Sequence, residues 1–394
     1  MAVAVAVSDK ATWFAYFPEN YRWSFNFLIA YAMVRAGGAE IGEIDQVGRR
    51  LANHVGDDEQ WFREWVRMAD RVRGLAEDAE ARGARLSAAG HYRRASGYYL
   101  VGERFRFPKD DEALDAYRQC VQCFRRSTEL ADGPKVDYVE VPYDDGKTLP
   151  SFLVHAENTG AAKPPVVVFF TGFDGNKEMN WFLGIEELVQ RGVSVLSVDS
   201  PGVGEAIRFQ NIPLRYDYEA AGSAAIRFLE ARDDVDPQRI GIVGMSLGGY
   251  YAPRCAGMDS RFKACVAWGA QWDYHAVWER RISAAQELQL PVPGDHLPWN
   301  TGTSTPEEAL AALEHFKLDG VAQQIKCPVL VAHGEDDQQI PLSDALQLFE
   351  AVGSEDKTLR VFTGEEGGAQ HCHLDNLSVA APVIFDWIAD RLGA

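Results

Sequence analysis

In Ile240-Gly241-Ile242-Val243-Gly244-Met245-Ser246-Leu247-Gly248, an apolar run leads directly into a serine flanked by glycines, and a segment with helical spacing follows. This order predicts a nucleophile elbow, a sharp turn that holds a serine at the end of a strand. The turn strains the serine backbone, so the residues two before and two after it must be small. Gly244 and Gly248 meet that need, and we predict that Ser246 is a nucleophile. The alternative is a glycine-rich turn with a capping serine.

A serine nucleophile needs a base and an acid that orients the base. After an elbow of this kind, the acid is expected first along the chain and the histidine second. The buried strand Val329–Ala332 opens into a polar loop with three adjacent acids. We favour Asp337 because it lies closest to the loop exit, with Asp336 and Glu335 as alternatives. A solvated acidic loop without a catalytic role is the other interpretation.

The base is expected in the loop after one further strand, for which Leu359–Phe362 is the candidate. The glycine-rich segment Gly364–Asn376 follows and holds two histidines. We predict that His371 is the base and keep His373 as the alternative. His333 precedes the acid, so it is interpreted as structural.

Two backbone N–H groups are candidates to stabilise an oxyanion. Leu247 follows the serine at the start of a helix, where N–H groups point outward. The apolar segment Pro165–Thr171 is typical of a strand buried on both faces, and it ends in Gly172-Phe173-Asp174-Gly175. We predict that the N–H of Phe173 is the second donor, with that of Asp174 as the alternative. A simple strand-to-helix turn would leave both groups without this role.

Composition excludes several classes of protein. Of 394 residues, 46% are apolar, which is typical of a globular chain. Lys and Arg number 39 against 58 Asp and Glu, and the formal charge of -19 disfavours nucleic acid and anionic membranes as partners. No apolar run approaches the roughly 20 residues that span a bilayer. The apolar start lacks a basic segment, so we expect no secretory signal and a cytoplasmic location.

Six cysteines in a chain of this length do not indicate a disulfide framework. Cys120 and Cys123 have a C-x-x-C spacing, but the surrounding pattern is helical and no second pair lies nearby. Ordinary packing is the favoured interpretation. We therefore expect no metal and no cofactor, and a small molecule as the substrate.

The pattern divides the chain near residue 134. Residues 13–130 have apolar and aromatic positions at helical spacing, as in Trp61, Trp65 and Met68. The segment Ala131-Asp132-Gly133-Pro134 breaks this pattern. We predict an α-helical N-terminal domain of residues 1–133 and a catalytic domain of residues 134–394.

The catalytic domain alternates strands with helices after an initial hairpin, which predicts a mostly parallel sheet flanked by helices. The predicted strands are 136–141, 149–154, 166–171, 193–198, 239–243, 264–268, 329–332 and 359–362. A closing helix is expected over 379–392. Regular alternation lapses between Gly269 and Lys326, where an aromatic-rich insertion with a helix over 306–315 is expected to lie over the active site.

Residues 136–394 resemble the α/β-hydrolase superfamily. The whole chain is similar to its FrsA-like branch, which has a helical N-terminal domain and includes dihydroxypseudooxynicotine hydrolase and the yellowish-green-type polyketide-shortening hydrolases. The segments that carry this resemblance are 90–96, 139–143, 172–175, 199–204, 244–249 and 371–372.

The resemblance implies that His371 is the catalytic histidine and Asp337 the acid. It also implies a helical domain that covers the pocket and helps to form a homodimer. An additional acid in the region of the insertion contributes in the nicotine-pathway enzyme of the branch. Asp273 and Glu279 are both candidates for its counterpart, although either is equally well a surface acid. Asp174 is a further substrate-binding candidate.

The leading hypothesis is a cofactor-free serine hydrolase that cleaves a carbon–carbon bond next to a ketone in an aromatic or polyketide-like substrate. The alternative is a carboxylesterase acting on an ester of a bulky acyl group. A protein of another class, which keeps the fold for binding alone, is a third possibility because fold does not determine function.

Overall fold

The computed structural model describes residues 13–288 and 295–394. These residues form two compact units. The first contains residues 13–132 and Leu288, and the second contains residues 133–287 and 295–394.

The first unit is helical. Its helices are α1 Tyr21–Met33, α2 Ile41–Leu51, α3 Asp58–Ala81, α4 Arg85–Glu103 and α5 Asp111–Leu130. Side chains of Asn20, Asp57 and Asp110 cap the starts of α1, α3 and α5 by accepting backbone N–H groups. The helical spacing on α3 buries Trp61 and Trp65, which pack with ring centroids 5.7 Å apart.

The second unit is built on an eight-stranded sheet of order β1-β2-β4-β3-β5-β6-β7-β8. Its strands are β1 Val136–Pro142, β2 Thr148–Val154, β3 Val166–Phe170, β4 Ser194–Val198, β5 Ile240–Met245, β6 Ala264–Trp268, β7 Val329–Gly334 and β8 Lys357–Phe362. β2 pairs antiparallel with β1 and β4, and the other pairs are parallel. The predicted mostly parallel sheet is confirmed, and so is the hairpin turn, where Asp145 and Gly146 have positive φ.

Helices flank this sheet. They are α6 Lys177–Asn180, α7 Glu186–Val189, α8 Gly204–Gln210, α9 Glu219–Glu230, α10 Gly248–Met258, α11 Tyr274–Leu288, α12 His296–Thr301, α13 Pro306–Ala312, α14 Leu342–Ala351 and α15 Leu377–Leu392. Most predicted strand boundaries differ by one or two residues, and two predicted helix boundaries also differ. The helix expected to reach His315 ends at Ala312, because Leu313 and Glu314 donate to the carbonyls three residues earlier and tighten the chain into turns. The closing helix begins at Leu377, not Val379.

Buried charges join two loops at the edge of the sheet where the parallel strands end. The carboxylate of Asp199, just after β4, accepts the backbone N–H groups of Lys177 (2.7 Å) and Glu205 (2.9 Å), which lie at the starts of α6 and α8. The Lys177 ammonium lies 2.8 Å from Asp199, 2.7 Å from Glu205 and 3.0 Å from Glu178. One carboxylate therefore fixes the loop after β3 and the loop after β4.

We predict that Gly204→Ala lowers the stability of the second unit. Gly204 has a φ of +57°, and a Cβ there would overlap the Asp199 carboxylate. We expect a loss of about 2–4 kcal/mol because the clash falls in a buried, fully packed network. Thermal unfolding followed by circular dichroism measures the change.

Gly74→Ala in α3 is the matched control, since a Cβ there meets nothing within 4 Å. It should be neutral or stabilising because alanine favours helix more than glycine does. A Gly204→Ala protein as stable as this control would contradict the proposed packing.

Candidate active site

Ser246 lies in a left-handed turn between β5 and α10, with a φ of +61°. Its N–H donates to the Trp268 carbonyl (2.8 Å), and its carbonyl accepts the N–H of Gly249 (2.7 Å). A Cβ on Gly244 would overlap the carbonyl of Gly248. The strained turn therefore exists only because these positions are small, as the sequence predicts.

The loop after β3 comes into contact with this turn. A Cβ on Gly172 would lie 2.9 Å from the Ser246 Oγ. A side chain at position 172 would therefore collide with the Ser246 hydroxyl, and glycine lets the loop come this close.

The Ser246 hydroxyl, the His371 imidazole and the Asp337 carboxylate form one hydrogen-bonded chain. Oγ of Ser246 lies 2.8 Å from Nε2 of His371, and Nδ1 of His371 lies 2.6 Å from Oδ2 of Asp337. The other Asp337 oxygen accepts the N–H groups of Gln339 (2.8 Å) and Ile340 (2.9 Å). The structure thus brings together the three residues predicted from the sequence, in the order needed to transfer a proton from Ser246 to His371.

Electrostatics within this chain favour a charged pair. Burial lowers the pKa of His371, but the Asp337 carboxylate outweighs it and raises that pKa well above its ordinary value. Burial raises the pKa of Asp337, yet His371 and the hydrogen bonds to the carboxylate bring it below its ordinary value. The pair is therefore arranged to hold a proton on His371 once the imidazole has accepted it.

The alternative acids lie elsewhere. Glu335 is exposed and accepts the N–H of Gly364 (3.2 Å). Asp336 is half-buried, and a Cβ on Gly364 would lie 3.4 Å from its Oδ2. Of the three adjacent acids, Asp337 is the one hydrogen-bonded to His371.

The alternative histidines have other partners. His373 directs Nδ1 to the Gly368 carbonyl (2.7 Å) and packs on Phe362, with ring centroids 4.3 Å apart. Nε2 of His333 lies 3.1 Å from the Ile340 carbonyl and 3.8 Å from Asp337 Oδ2. His333 thus supports the loop that carries the acid, in agreement with its structural interpretation.

Asp375 organises the histidine loop and was missed in the sequence. Its carboxylate accepts the N–H groups of Gly368 (2.9 Å), Ala369 (3.1 Å) and Gln370 (3.1 Å), the three residues before His371. An acid four residues after the predicted base, in a glycine-rich loop, was the available signal.

Leu247 directly follows Ser246, and Phe173 directly follows Gly172, where a Cβ would lie 2.9 Å from the Ser246 Oγ. Within the described residues, neither backbone N–H group donates a hydrogen bond. Leu247 directly precedes α10, so its N–H lies at a helix start. Both groups are therefore available to an oxyanion.

Asn300 holds the peptide that follows Phe173, a function that the sequence did not reveal. Its side chain is 1% exposed, and Nδ2 donates to the carbonyls of Phe173 (3.0 Å) and Gly202 (2.6 Å). Asn300 belongs to α12, within the predicted insertion. The insertion therefore fixes the orientation of the loop that carries the candidate oxyanion donor.

Two predicted substrate-binding acids have structural partners. Asp273 caps α11 by accepting the Ala276 N–H (3.0 Å) and lies 3.2 Å from the Lys317 ammonium. Glu279 is 58% exposed and lies 3.4 Å from His275. Neither acid contacts the Ser246–His371–Asp337 chain through a hydrogen bond or ion pair that the described residues form.

Asp174 lies closer to the site. It is half-buried in the loop after β3, and its charge acts on the Tyr274 hydroxyl. Of the three predicted acids, it is the one next to the candidate oxyanion donor Phe173 in the chain.

One group of side chains has the spacing of metal ligands. Atoms of Asp137, His155 and Asp234 lie within 4.8 Å of one another. Arg232 already bridges the two carboxylates, and Lys135 lies 3.1 Å from Asp137. Because these cations occupy the carboxylate oxygens, the group is an ion-pair network.

Cys120 and Cys123 are buried in α5, as ordinary packing requires. No helix in residues 13–288 and 295–394 has both the length and the apolar character needed to cross a membrane.

The chain is similar to known hydrolases over most of its length. The sequence profile of the family described as esterase FrsA-like matches residues 51–392. The hydrolase acrC of Aspergillus aculeatus is 31% identical over 96% of this chain and 98% of its own length. The 20-hydroxy-prefusarin hydrolase FUS2 of Gibberella moniliformis is 31% identical over 93% of this chain and 95% of its own length.

A solved structure is also similar over nearly the full length. The 2,6-dihydroxy-pseudo-oxynicotine hydrolase has a TM-score of 0.75 and 25% sequence identity, and the match covers 92% of this chain and 95% of that one.

The electrostatics predict a shift in pH dependence. If neutral His371 is the base, kcat/KM falls as pH drops through its pKa. Asp337 raises that pKa and burial lowers it, so Asp337→Asn should move the acidic limb to lower pH. It should also reduce the plateau by roughly a thousandfold or more, because asparagine stabilises the wrong tautomer.

Asp336→Asn is the control for this pH profile, and its acidic limb should stay where the wild type has it. If the acidic limb of the kcat/KM profile does not shift in Asp337→Asn, the limb reports the pKa of a group other than His371.

The Asn300 contacts predict a loss of rate without a loss of fold. Asn300→Asp keeps the shape but replaces a donor to two carbonyls with an oxygen that repels them. We expect kcat to fall about 10- to 100-fold with little change in KM, because the oxyanion donor is displaced. Steady-state kinetics measures both constants, with Asn158→Asp in an exposed loop as the charge-matched control. Equal activity in the two variants would contradict this positioning function.

Proposed function

The chain belongs to the FrsA-like family of α/β-hydrolases, and from this premise we propose that it is a serine hydrolase that cleaves a carbon–carbon bond next to a ketone. The observation that carries the proposal is the hydrogen-bonded chain from Ser246 through His371 to Asp337. The substrate class rests on two similar proteins whose names describe hydrolases of 20-hydroxy-prefusarin and of 2,6-dihydroxy-pseudo-oxynicotine.

In the proposed first step, His371 accepts the Ser246 proton while Oγ attacks the ketone carbon. Asp337 orients the imidazole and stabilises the imidazolium. The N–H groups of Leu247 and Phe173 stabilise the negative oxygen of the tetrahedral intermediate. Gly172 precedes Phe173, and its lack of a side chain lets this loop approach the Ser246 hydroxyl.

In the second step, the carbon–carbon bond breaks and its electron pair moves into the leaving group as an enolate. The imidazolium of His371 returns the proton to the enolate carbon, which releases a neutral ketone. Water then attacks the acyl-enzyme with His371 as base, giving a carboxylic acid and free Ser246.

Hydrolysis of a bulky ester is the second candidate. The family description, esterase FrsA-like, favours it, and the same acyl-enzyme would form. The two candidates differ in the leaving group, because an alkoxide needs less stabilisation than a carbanion. A diketone substrate therefore distinguishes them.

The remaining predictions belong to the same proposal. The helical domain, residues 1–133, would cover the pocket and form a homodimer, while residues 134–394 would carry the chemistry. Asp273 and Glu279 remain candidates for substrate contacts in a bound state, and a cytoplasmic location is part of the proposal.

We predict that Ser246→Ala abolishes turnover and reaction with a fluorophosphonate probe, while the fold is kept. Loss of a nucleophile costs several orders of magnitude in kcat. Ser378→Ala, an exposed serine in the second unit, is the matched control and should retain both. Turnover above about a hundredth of the wild-type rate in Ser246→Ala would transfer the reaction to another group.

The bond that is cleaved is tested with 1-phenylbutane-1,3-dione and a matched phenyl ester. Chromatography of the products should show benzoic acid and acetone, or acetophenone and acetic acid, from the diketone. Turnover of the ester alone would replace the leading proposal with the carboxylesterase.

A further inference from the structure

Three side chains on one face of α11 have no part in the mechanism above. Tyr274, Trp278 and Arg281 recur at every third or fourth position and therefore align along the helix. Tyr274 and Trp278 are each 1% exposed, and their ring centroids lie 6.3 Å apart. Arg281 continues this face toward solvent and is half-buried.

Two of these side chains have buried polar atoms without partners. Within the described residues, neither the Tyr274 hydroxyl nor the Trp278 Nε1–H forms a hydrogen bond. An unsatisfied buried polar group costs about 1–3 kcal/mol. Two such groups one helical turn apart indicate that a ligand supplies the missing acceptor.

Arg281 adds a positive charge to the same place. Its guanidinium lies 5.4 Å from the centroid of the Trp278 ring, and one side-chain hydrogen bond reaches Gln339 (3.3 Å). Burial raises the pKa of Tyr274, while the positive charge of Arg281 opposes that rise. Arg281 is therefore close enough to act on the Tyr274 hydroxyl through its charge.

No carboxylate of the described residues pairs with this arginine. Among the described residues, Arg281 forms no ion pair within 4.0 Å, whereas arginines such as Arg215, Arg254 and Arg261 do. The charge of Asp174 also acts on Tyr274 and raises the pKa of its hydroxyl. The positive charge of Arg281 thus remains available to a ligand.

This face of α11 borders both sides of the catalytic centre. The Trp278 ring packs on Phe173, with centroids 5.4 Å apart, and Phe173 carries the candidate oxyanion donor. On the other side, Arg281 contacts Gln339, whose N–H donates to Asp337. α11 therefore lies next to the loops that carry Phe173 and Asp337.

We propose that Tyr274, Trp278 and Arg281 form a second oxygen-binding site, which receives the ketone oxygen of the leaving group in a 1,3-dicarbonyl substrate. The inference rests on the proposed carbon–carbon hydrolysis and specifies its substrate class. Two carbonyls separated by one carbon would reach the two sites at once, the first at the Leu247 and Phe173 N–H groups and the second at α11.

The chemistry explains why this site needs donors and a positive charge. When the bond between the attacked carbonyl and the central carbon breaks, its electron pair forms an enolate, and negative charge develops on the second oxygen. Tyr274, Trp278 and Arg281 stabilise that oxygen as the charge grows. His371 then protonates the central carbon, so one water is consumed and one acid and one ketone are released. An ester lacks this second oxygen and gains little from the site.

The kinetic test compares Tyr274→Phe and Arg281→Gln with the wild type, on 1-phenylbutane-1,3-dione and on the matched phenyl ester. Tyr274→Phe removes a hydroxyl that has no internal partner, so the fold should be kept. We expect the ratio of kcat/KM for the diketone to that for the ester to fall about tenfold or more in each variant. Arg227→Gln, an exposed arginine on α9, should keep the wild-type ratio.

A binding test separates this inference from the fate of Ser246. In Ser246→Ala, a bound diketone should show the ultraviolet absorbance of its enolate, and adding Arg281→Gln should remove that signal. A ratio that stays constant in both variants, with an unchanged enolate spectrum, would overturn the second oxygen site alone. If the wild type hydrolyses the ester but not the diketone, the carbon–carbon proposal fails together with this inference. If Ser246 does not react with the fluorophosphonate probe, the serine mechanism itself fails.

Discussion

The left-handed backbone of Ser246 is the constraint on which the rest of the site depends. A φ of +61° at a residue with a side chain is tolerated only where neighbouring backbone closes around it. The Trp268 carbonyl accepts the Ser246 N–H, and Gly172 and Gly244 leave the space that the turn needs. The carboxyl-terminal ends of β3, β5 and β6 therefore have to lie close together around Ser246, with no side chain between their backbones. Parallel neighbours in the sheet make this possible.

The sheet and the insertion contribute different residues to the candidate active site. Turns and loops that follow β5, β7 and β8 position Ser246, Asp337 and His371, to which we assign the formation and hydrolysis of an acyl-enzyme. Helix α12 adds Asn300, which holds the Phe173 carbonyl, and α11 adds the face of Tyr274 and Trp278 that we propose as a substrate contact. In this proposal, reaction type and substrate choice depend on different segments of the chain, so one could change while the other is kept.

The sequence predicts the sheet, the elbow and the order of acid and histidine because each depends on local pattern or on chain order. The sequence favours one of three adjacent acids only by its position in a loop, and in the structure Asp337 differs from the other two by its hydrogen bond to His371. The sequence does not reveal the function of Asn300, because its partner Phe173 is 127 residues away. Asn300 itself lies in the insertion, where strands and helices do not alternate regularly. The capping function of Asp273 was equally hidden, since a helix start inside an irregular insertion gives little signal.

The Asp199 carboxylate couples the unfolding of the loop after β3 to the unfolding of the loop after β4. Opening the start of α6 or of α8 breaks a bond to the same carboxylate and exposes Lys177, whose side chain is 2% accessible. Local unfolding in proteins proceeds in cooperative units, and shared buried charges enlarge such a unit. Backbone amides of both loops should therefore exchange with solvent together. The loop after β3, which lies beside Ser246, should therefore open only together with the loop after β4, because Lys177 and Asp199 join the two loops.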